Sequence, residues 1–574
     1  MQTKPFLFLL LLVVGASFRC AAAAETPVAD YQVIPLPQTI QPMKGDAFLL
    51  DSTVVVVAPP SLAREAQFLC DYVAELCGLR LRVTQSTPRK GRCIVLAVDQ
   101  RASQGAEGYV LNVDKRTVSI SGGSAAGVFY AVQTLRKSIP LPSAFLAPDE
   151  RHQVLSTTFQ PLNTSGLSTV QPSTPSTILF PAVRITDAPR FGWRGMHLDC
   201  SRHFFSVDFV KKYIDLLALH NMNVFHWHLT DDQGWRIEIK SWPRLVEVGS
   251  MRSGTVIGIN SDLDDHTPHG GYYTQQQARD IVEYARQRHI TVVPEIDMPG
   301  HMVAALASYP ELGCTGGPYE VGHYWGVYKD VLCVANPKVY QFVEDVLTEI
   351  MQVFPSEVIH IGGDETPTDR WKVCPKCQAQ KLPQGVTLQG YFTQRVFDFL
   401  TSHHRRALGW DELLENNAPQ NTMIMSWRGS QPGALAAQQG HDVVMTPTSH
   451  CYFDYQQNEE TDHEPSRCSG FIPVEKVYSL EPVPDSLADD ARRHILGVQA
   501  NLWAEYLTTP GLVEYQALPR MTALAEVQWT QPRRKDYDAF VERLTRMTRL
   551  FDRCGYHYAK NLWPERQLPS RWQF

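Results

Sequence analysis

The sequence predicts an α/β fold in which a (β/α)8 TIM barrel follows a small α+β domain. The chain has 574 residues, enough for more than one domain. From residue 181 onward, short apolar strands alternate with amphipathic helical stretches, and we count eight such units. Acidic and aromatic residues follow these strands, at the end of a barrel where binding sites lie.

The composition is that of a folded globular protein. Hydrophobic residues make up 44% and charged residues 20% of the chain, without the bias of disordered or fibrous proteins. The formal net charge is −7 at pH 7, whereas a nucleic-acid ligand requires concentrated Lys and Arg. We therefore expect no nucleic-acid partner.

Residues 1–24 have the pattern of an export signal. Lys4 precedes an apolar run from Phe6 to Val14, and small residues end at Ala24, where we place cleavage. The run is too short to span a bilayer. A lipid anchor at Cys20 is the less favoured alternative, because the preceding Ser-Phe-Arg lacks the small residues of a lipoprotein site. We expect a periplasmic, cell-surface or secreted protein without an integral membrane segment after signal removal.

Residues 25–142 predict the small α+β domain. Runs such as VVVVA, CIVLAV, YVLNV and TVSISG are typical of strands, and apolar residues recur at helical spacing from Ala63 to Leu79 and in AAGVFYAVQTLRKSI. Residues 143–180 are rich in Pro, Ser and Thr and show no periodicity, which indicates a linker or surface loop. The catalytic barrel and a C-terminal tail then occupy residues 181–574.

The cysteines predict no metal site. Removing Cys20 leaves 11 of the 12 cysteines, without short regular spacing. Cys374 and Cys377 form a Cys-x-x-Cys pair, but no second pair follows at zinc-ribbon spacing. We therefore favour a structural role or a local disulfide for this pair over zinc or redox chemistry. We expect neither a metal nor another cofactor.

Polar and aromatic residues stand at the ends of all eight predicted barrel strands. The strands are GMHLDC, NVFHWHLT, TVVPEID, VIHIGG, RALGW, TMIMSW, DVVMT and ILGVQANLW. Their ends carry Asp199, Ser201, Arg202, Asp231, Asp232, Glu295, Asp297, His301, Asp364, Glu365, Trp410, Asp411, Glu412, Trp427, Arg428, Tyr452, Asp454, Trp503 and Glu505. One such residue is more often structural, but a packed scaffold has no need for polar clusters on one rim. Aromatic walls between carboxylates suit a sugar, so we predict a carbohydrate ligand.

Asp364 and Glu365 are adjacent, which restricts the chemistry. Glycoside cleavage by the usual retaining route needs an acid and a nucleophile ~5–5.5 Å apart on opposite sides of the anomeric carbon. Neighbouring residues do not readily straddle a sugar in this way. One solution is that one of them acts as acid/base while the other orients an N-acetyl carbonyl of the substrate, which supplies the nucleophile.

Six motifs in order closely resemble glycoside hydrolase family 20, the β-N-acetylhexosaminidases. They are DAPRFGWRGMHLDCSRHF at 187–204, FHWHLTDDQGWRIEI at 225–239, PEIDMPGH at 294–301, HIGGDE at 360–365, GWDE at 409–412 and QANLWAE at 499–505. The resemblance covers residues 181 to 529, and the preceding domain looks like the N-terminal domain of that family. It implies an exo-acting, retaining hydrolase that removes terminal non-reducing N-acetylhexosamine from glycans through an oxazolinium intermediate.

The resemblance also implies a role for each matching residue. Glu365 would be the general acid/base, Asp364 would orient the 2-acetamido group, and Tyr452 would bond its oxygen. Arg202, Asp454 and Glu505 would hold sugar hydroxyls, Trp410 and Trp503 would wall the pocket, and Asp231, Asp297 and His301 would form a supporting network near Glu365. The general acid has to be protonated near working pH, so we expect Asp364 and nearby acids to raise the pKa of Glu365.

Two alternatives remain at this point. A metal-dependent barrel hydrolase is the enzymatic rival, because His226 and His228 form a His-x-His pair on one strand. A sugar-binding protein without catalysis is the other, against which the intact Asp364 and Glu365 pair weighs. The sequence leaves open the natural glycan, the preference between N-acetylglucosamine and N-acetylgalactosamine, and the oligomeric state.

Overall fold

The protein consists of an N-terminal α+β domain and a closed eight-stranded parallel barrel. The structure is a computed structural model that describes residues 26–101, 104–141, 177–258, 261, 263–459, 464 and 470–563. The predicted signal segment and most of the predicted linker therefore lie outside the described residues. No helix in these ranges is long and apolar enough to cross a bilayer.

A mixed seven-stranded sheet and two helices form the N-terminal domain. In spatial order its strands are Thr39–Pro42, Val183–Asp187, Tyr109–Val113, Thr117–Gly122, Cys93–Val98, Val55–Val57 and Arg82–Thr84. The helices Ala63–Cys77 and Ala125–Ser138 pack against each other, and the second helix lies against the central strands. This second helix begins after Ser124, whose side chain accepts a hydrogen bond from the backbone N–H of Ala126. All four predicted strand runs of this domain are strands in the structure.

The predicted start of the barrel at residue 181 is too early. Val183–Asp187 pairs on both sides with strands of the N-terminal sheet, and Ile178–Phe180 pairs with Phe48–Leu50. The first barrel strand begins only at Trp193. The burial of Val183–Asp187 alternates along the strand, as in a sheet with one exposed face, whereas Trp193–Asp199 is buried throughout. Residues 177–187 thus return the chain to the first domain before the barrel starts.

The eight predicted barrel strands are confirmed, and they close into one parallel barrel. Their bounds are Trp193–Asp199, Val224–His228, Thr291–Glu295, Val358–His360, Arg406–Trp410, Met423–Ser426, Val443–Met445 and Ile495–Ala500. The register places Asp199 beside His228, His228 beside Glu295, and Glu295 beside His360. Polar residues from four consecutive strands therefore lie in one layer at the carboxyl end of the barrel.

Helices surround the barrel. The longer ones are Val207–Leu219, Gln275–Arg286, Pro337–Val353, Leu388–Ser402, Ser430–Gln438, Pro510–Ala517, Arg520–Trp529 and Tyr537–Cys554. Shorter helices are Arg244–Glu247, Val303–Ser308, Asp369–Val373, Pro375–Ala379, Thr448–Cys451, Val474–Tyr478 and Asp489–Arg492. Local capping sets several starts, as in Gln275–Arg286, where Thr274 and Gln277 form a capping box.

The N-terminal domain packs on the amino end of the barrel. Arg194, near the start of the first barrel strand, is buried and donates hydrogen bonds of 2.9 and 2.7 Å to the carboxylate of Glu107. Its guanidinium also donates to the hydroxyl oxygen of Tyr130 at 2.9 Å. Trp529 donates its indole N–H to Asp187 of the N-terminal sheet. These contacts cover one end of the barrel and leave the carboxyl end for the site.

Candidate active site

A tight loop after the fourth barrel strand carries Asp364 and Glu365. Gly362 and Gly363 have φ angles of 68° and 97°, and Glu365 itself has a φ of 42°. A Cβ atom on Gly362 would lie 1.6 Å from Oδ1 of Asp297, so only glycine fits there. The backbone N–H of Gly363 donates to the same oxygen at 3.2 Å. The buried Asp297 therefore shapes the turn that places both acids, and the left-handed Glu365 is a strained residue of the kind that concentrates at functional sites.

The two acids differ in exposure but share one neighbour. The Asp364 side chain is 13% exposed and that of Glu365 is 43% exposed. The Nε2 atom of His301 lies 3.7 Å from Oδ2 of Asp364 and 3.6 Å from Oε2 of Glu365. One atom from each of the three groups falls within a 4.8 Å span. Both carboxylates thus converge on one imidazole nitrogen in the pocket.

His301 belongs to a chain of buried charges. Its Nδ1 lies 3.1 Å from one oxygen of Asp231 and 3.1 Å from one oxygen of Asp232. The other oxygen of Asp231 is 2.8 Å from Nε2 of His228 and 2.9 Å from Arg202. Burial disfavours the imidazolium of His301, but the charges of Asp231 and Asp364 outweigh burial and hold the pKa of His301 well above its ordinary value.

The predicted upward shift of the Glu365 pKa is wrong. The contact with His301 outweighs the effect of burial and holds the pKa of Glu365 below its ordinary value. Burial instead raises the pKa of Asp364, and burial together with the charge of Asp364 raises the pKa of Asp297 well above its ordinary value. The sequence-based expectation considered only the neighbouring acids, whereas the fold inserts a cationic imidazole between them.

Arg202, Asp454 and Glu505 lie together on another part of the rim. Arg202 is 2.9 Å from Asp231 and 3.3 Å from Asp199, and its guanidinium lies over the ring of Trp503 at 5.1 Å. Burial raises the pKa of Asp454 well above its ordinary value, and burial also raises that of Glu505. The charge of Glu505 acts on both Arg202 and Asp454, so the structure brings together all three residues that the resemblance assigned to sugar hydroxyls.

Several buried polar atoms of the pocket have no hydrogen-bond partner among the described residues. They are His301 Nε2, Asp364 Oδ1, Asp454 Oδ1 and Glu505 Oε2. Buried polar atoms are nearly always paired in folded proteins, and each one without a partner calls for an explanation. A ligand rich in hydroxyl and amide groups would supply partners to all four.

Aromatic rings form the remaining wall and the floor. Trp503 is half-buried, and its ring centroid lies 5.7 Å from that of Trp410. Trp410 is only 1% exposed, and its indole N–H donates to Glu295 at 2.9 Å, so it lies in the floor rather than in the wall where we expected it. Tyr452 is 7% exposed and stacks on Trp427 at 6.1 Å.

Trp427 and Glu412 also belong to the site, although neither was assigned a role from the sequence. The indole N–H of Trp427 donates to Oε2 of Glu412 at 2.9 Å. Burial and the charge of Asp364 raise the pKa of Glu412 to about 8. Both residues stand at predicted strand ends, and this position is the signal that points to them.

The two histidines of the His-x-His pair contact a buried carboxylate below the pocket. Glu295 lies 3.0 Å from His226, 2.6 Å from His228 and 3.0 Å from His360. All four side chains are completely buried. A catalytic metal needs an open coordination position for substrate or water, which this enclosed cluster does not offer. The geometry therefore favours a supporting role for His226 and His228 over the metal-hydrolase alternative.

Comparisons with known proteins agree with this geometry. Residues 191–532 match the model of the glycosyl hydrolase family 20 catalytic domain, and residues 30–158 match that of domain 2 of this family. A β-hexosaminidase of Porphyromonas gingivalis is 40% identical over 555 residues, which cover 96% of this chain and 67% of that protein.

Solved structures are similar over nearly the whole chain. The family 20 exo β-N-acetylglucosaminidase of Vibrio harveyi in complex with N-acetylglucosamine has a TM-score of 0.76 and 32% identity, covering 94% of this chain and 80% of that one. The family 20 β-N-acetylhexosaminidase of Streptomyces coelicolor has a TM-score of 0.74 and 32% identity, covering 94% and 98% of the two chains.

Proposed function

The chain belongs to glycoside hydrolase family 20, and we infer that it is an exo-acting β-N-acetylhexosaminidase that acts with retention. Its substrates are glycans with a terminal non-reducing β-linked N-acetylhexosamine. N-acetylglucosamine is the expected sugar, and N-acetylgalactosamine is a further candidate. The observation that carries the mechanism is the convergence of Asp364 and Glu365 on one atom of His301.

This convergence supports a nucleophile that comes from the substrate. A protein nucleophile would have to attack the anomeric carbon from the face opposite the acid. Asp364 and Glu365 are neighbours in the chain and face the same imidazole nitrogen, which disfavours a placement on opposite faces of one sugar. The carbonyl oxygen of the 2-acetamido group reaches that opposite face within the sugar itself.

We propose that the two acids have different catalytic roles. Protonated Glu365 donates its proton to the glycosidic oxygen while the acetamido oxygen bonds to the anomeric carbon and the leaving group departs. Asp364 accepts a hydrogen bond from the acetamido N–H and balances the positive charge of the oxazolinium. Glu365, now ionised, takes a proton from water, which attacks the anomeric carbon. This attack breaks the bond between the anomeric carbon and the acetamido oxygen, so the oxazolinium ring opens and the β configuration is retained.

The other pocket residues would bind and orient the sugar. We propose that the guanidinium of Arg202 and the carboxyl groups of Asp454 and Glu505 bind ring hydroxyls, and that the hydroxyl of Tyr452 donates to the acetamido oxygen. Trp503 and Trp427 offer ring faces to the sugar and the acetamido methyl group. Asp231, Asp297 and His301 would hold the acids in place, as their contacts with one another and with the glycine turn support.

A substrate pair tests this function directly. The protein should hydrolyse a nitrophenyl N-acetyl-β-glucosaminide and leave the corresponding β-glucoside, which lacks the acetamide, nearly untouched. Proton NMR of the first product released should show the β anomer. Efficient cleavage of the plain glucoside, or release of the α anomer, would contradict a substrate-supplied nucleophile. A protein that binds the sugar without turnover would support the non-catalytic alternative.

We also propose that the protein is exported. This proposal rests on the sequence of residues 1–24 alone, which lie outside the described residues. N-terminal sequencing of the protein recovered from fractionated source cells tests it, and a new N-terminus near residue 25 is expected. An intact Met1, or a lipid on Cys20, would contradict simple cleavage by the export machinery.

A further inference from the structure

Four cysteine thiols meet between the segments that follow the third and fourth barrel strands. Cys314 and Cys333 lie between the third and fourth barrel strands, and Cys374 and Cys377 lie between the fourth and fifth. The sulfur of Cys333 is 3.8 Å from that of Cys374 and 3.7 Å from that of Cys377. The sulfur of Cys314 is 3.9 Å from that of Cys377, and all four sulfurs lie within 4.8 Å of one another.

We propose that these four cysteines bind a structural zinc ion. Four sulfurs at the usual Zn–S distance of ~2.3 Å form a tetrahedron whose edges are about 3.8 Å long. Three of the six sulfur–sulfur separations, at 3.7, 3.8 and 3.9 Å, match this edge. Disulfide bonding would instead bring pairs of sulfurs to about 2.05 Å. Three separations close to the tetrahedral edge, with all four sulfurs within 4.8 Å of one another, therefore favour a central cation over two S–S bonds.

The surroundings of the cluster suit a closed site. Cys333, Cys374 and Cys377 are buried, and Cys314 is half-buried. The backbone N–H of Ala335 donates towards the sulfurs of both Cys333 and Cys377, an outer contact that orients these two side chains. Four protein ligands leave no open position for water, so this zinc would stabilise structure and take no part in glycoside hydrolysis. Binding would release the thiol protons and form four Zn–S bonds without any change of oxidation state.

This inference revises the sequence-based interpretation of Cys374 and Cys377. That interpretation depended on a second Cys-x-x-Cys pair further along the chain, and the sequence contains none. The partners of the pair are instead two single cysteines, Cys314 and Cys333, which precede the pair and are far from it in the sequence. Only the fold brings them to the pair, so no spacing rule for zinc ribbons identifies the set.

The proposed zinc would join the loops that flank the catalytic acids. Residues 313–336 contact the pocket rim, where the side-chain amide of Gln233 donates to the carbonyl of Tyr324 at 2.9 Å. Residues 366–380 directly follow Glu365. Arg370 and Asp330 pair through two hydrogen bonds of 2.7 and 2.9 Å, and Trp371 donates to the carbonyl of Leu332 at 2.9 Å. Zinc would lock the same two loops together, so the four cysteines are positioning residues.

Metal analysis of the purified full chain tests the proposal. After extensive dialysis against metal-free buffer, the protein should retain about one zinc per chain, as a closed four-cysteine site does. The double variant Cys374→Ser/Cys377→Ser should lose this zinc. The matched control Cys70→Ser/Cys77→Ser removes two buried cysteines from the helix Ala63–Cys77 of the N-terminal domain and should retain it.

A second measurement uses the unmodified protein, so it does not depend on whether a variant folds. Titration with a mercurial that attacks thiolates, in the presence of a zinc indicator, should release the zinc as the four cysteines react. Peptide mapping of the alkylated protein then identifies the thiols that react only when the metal leaves. The site is supported if the amount of zinc released rises in proportion to the reaction of four thiols, namely those of Cys314, Cys333, Cys374 and Cys377.

Three results would overturn the proposal. Zinc-free protein with four reactive thiols would show that the cluster is an ordinary thiol cluster. Disulfide-linked peptides among the four cysteines of the non-reduced protein would assign them to cross-links. Iron in place of zinc, with the visible absorption of an iron–thiolate centre, would refute the identity of the metal.

The positioning role has its own readout. Removal of zinc should accelerate backbone amide hydrogen exchange in residues 313–336 and 366–380, while exchange in the helix Ala63–Cys77 stays unchanged. Turnover should fall together with this loss of order and recover when zinc is restored. Unchanged exchange in both loops after complete zinc loss would refute the positioning role. The zinc proposal is tested by metal content and the hydrolase proposal by turnover. An inactive protein that contains zinc would therefore contradict only the proposed hydrolase function.

Discussion

His301 places its Nε2 atom 3.6 Å from Oε2 of Glu365, while its Nδ1 atom contacts the buried Asp231 at 3.1 Å. This relationship ties the proposed proton donor to a buried anion through a cationic imidazole. It reverses the pKa shift that the adjacent acids alone would produce. The protonation of Glu365 therefore depends on His301 as much as on Asp364.

The first prediction is a pH profile. The general acid works only when it is protonated, and His301 holds the pKa of Glu365 below its ordinary value, so kcat/KM should decline as pH rises from the acidic range. His301→Gln removes the positive charge, so the pKa of Glu365 should rise and the alkaline limb should move to higher pH. The change His266→Gln, on a side chain that is 90% exposed, is the control and should leave the profile unchanged. An identical limb in the His301 variant would refute the coupling.

The second prediction concerns the proton donor. Glu365→Gln keeps the shape of the side chain and removes its proton, so turnover of substrates with poor leaving groups should fall by roughly 10²–10⁴. Inhibitor affinity should persist, which equilibrium binding can measure. Glu311→Gln is a matched control, because Glu311 is 45% exposed, close to the 43% of Glu365, and lies in a surface ion pair. Near-normal hydrolysis of a natural disaccharide by the Glu365 variant would exclude this residue as the donor.

The third prediction separates Asp364 from Glu365. Asp364→Asn removes the negative charge that would balance the oxazolinium, so kcat should fall by roughly 10²–10³ although Glu365 is intact. A thiazoline that mimics the cyclic intermediate should bind the unmodified protein far more tightly than N-acetylglucosamine, and the variant should lose most of this advantage. Asp369→Asn, on a side chain that is 56% exposed, should change neither quantity. Equal thiazoline affinity in both variants would argue against the role of Asp364.

The fourth prediction tests the aromatic wall. Trp503→Ala should weaken binding of the terminal sugar by about 0.5–1.5 kcal/mol through lost stacking, which raises KM roughly two- to tenfold. Turnover should fall too if the acetamide loses its attacking position. Trp503→Phe keeps a ring face over Arg202 and should recover part of the affinity. A variant that is less stable but kinetically normal would instead make Trp503 a core residue.

The fifth prediction tests the turn that carries the acids. Gly362→Ala should destabilise the fold strongly or block folding, because its Cβ would fall 1.6 Å from Asp297. Gly385→Ala is the matched control, since Gly385 also has a positive φ, of 80°, but has no atom within 4 Å of the added Cβ. Thermal unfolding of both variants isolates the steric effect from the backbone strain that they share. Equal shifts in Tm would contradict the close approach of Gly362 to Asp297.

Much of the fold was predictable because it rests on local patterns. Strands such as Val224–His228 are short apolar runs, and helices such as Pro337–Val353 show apolar residues at helical spacing, so each is visible in a single stretch of sequence. The polar residues at the strand ends were equally visible. The return strand Val183–Asp187 was missed because its partners lie about 70 and 140 residues away along the chain, by the register with Tyr109–Val113 and Thr39–Pro42.

The sequence by itself determined the residue types at the strand ends, the adjacency of Asp364 and Glu365, and the motifs of the family. Only the tertiary structure decided that His301 faces both acids, that Trp410 lies in the floor, and that Cys314 and Cys333 meet Cys374 and Cys377. The physical reason is that pKa values, burial and metal geometry depend on distances between groups from distant segments. Local sequence patterns contain the period of each element, whereas these distances arise only when all eight strands close into one barrel.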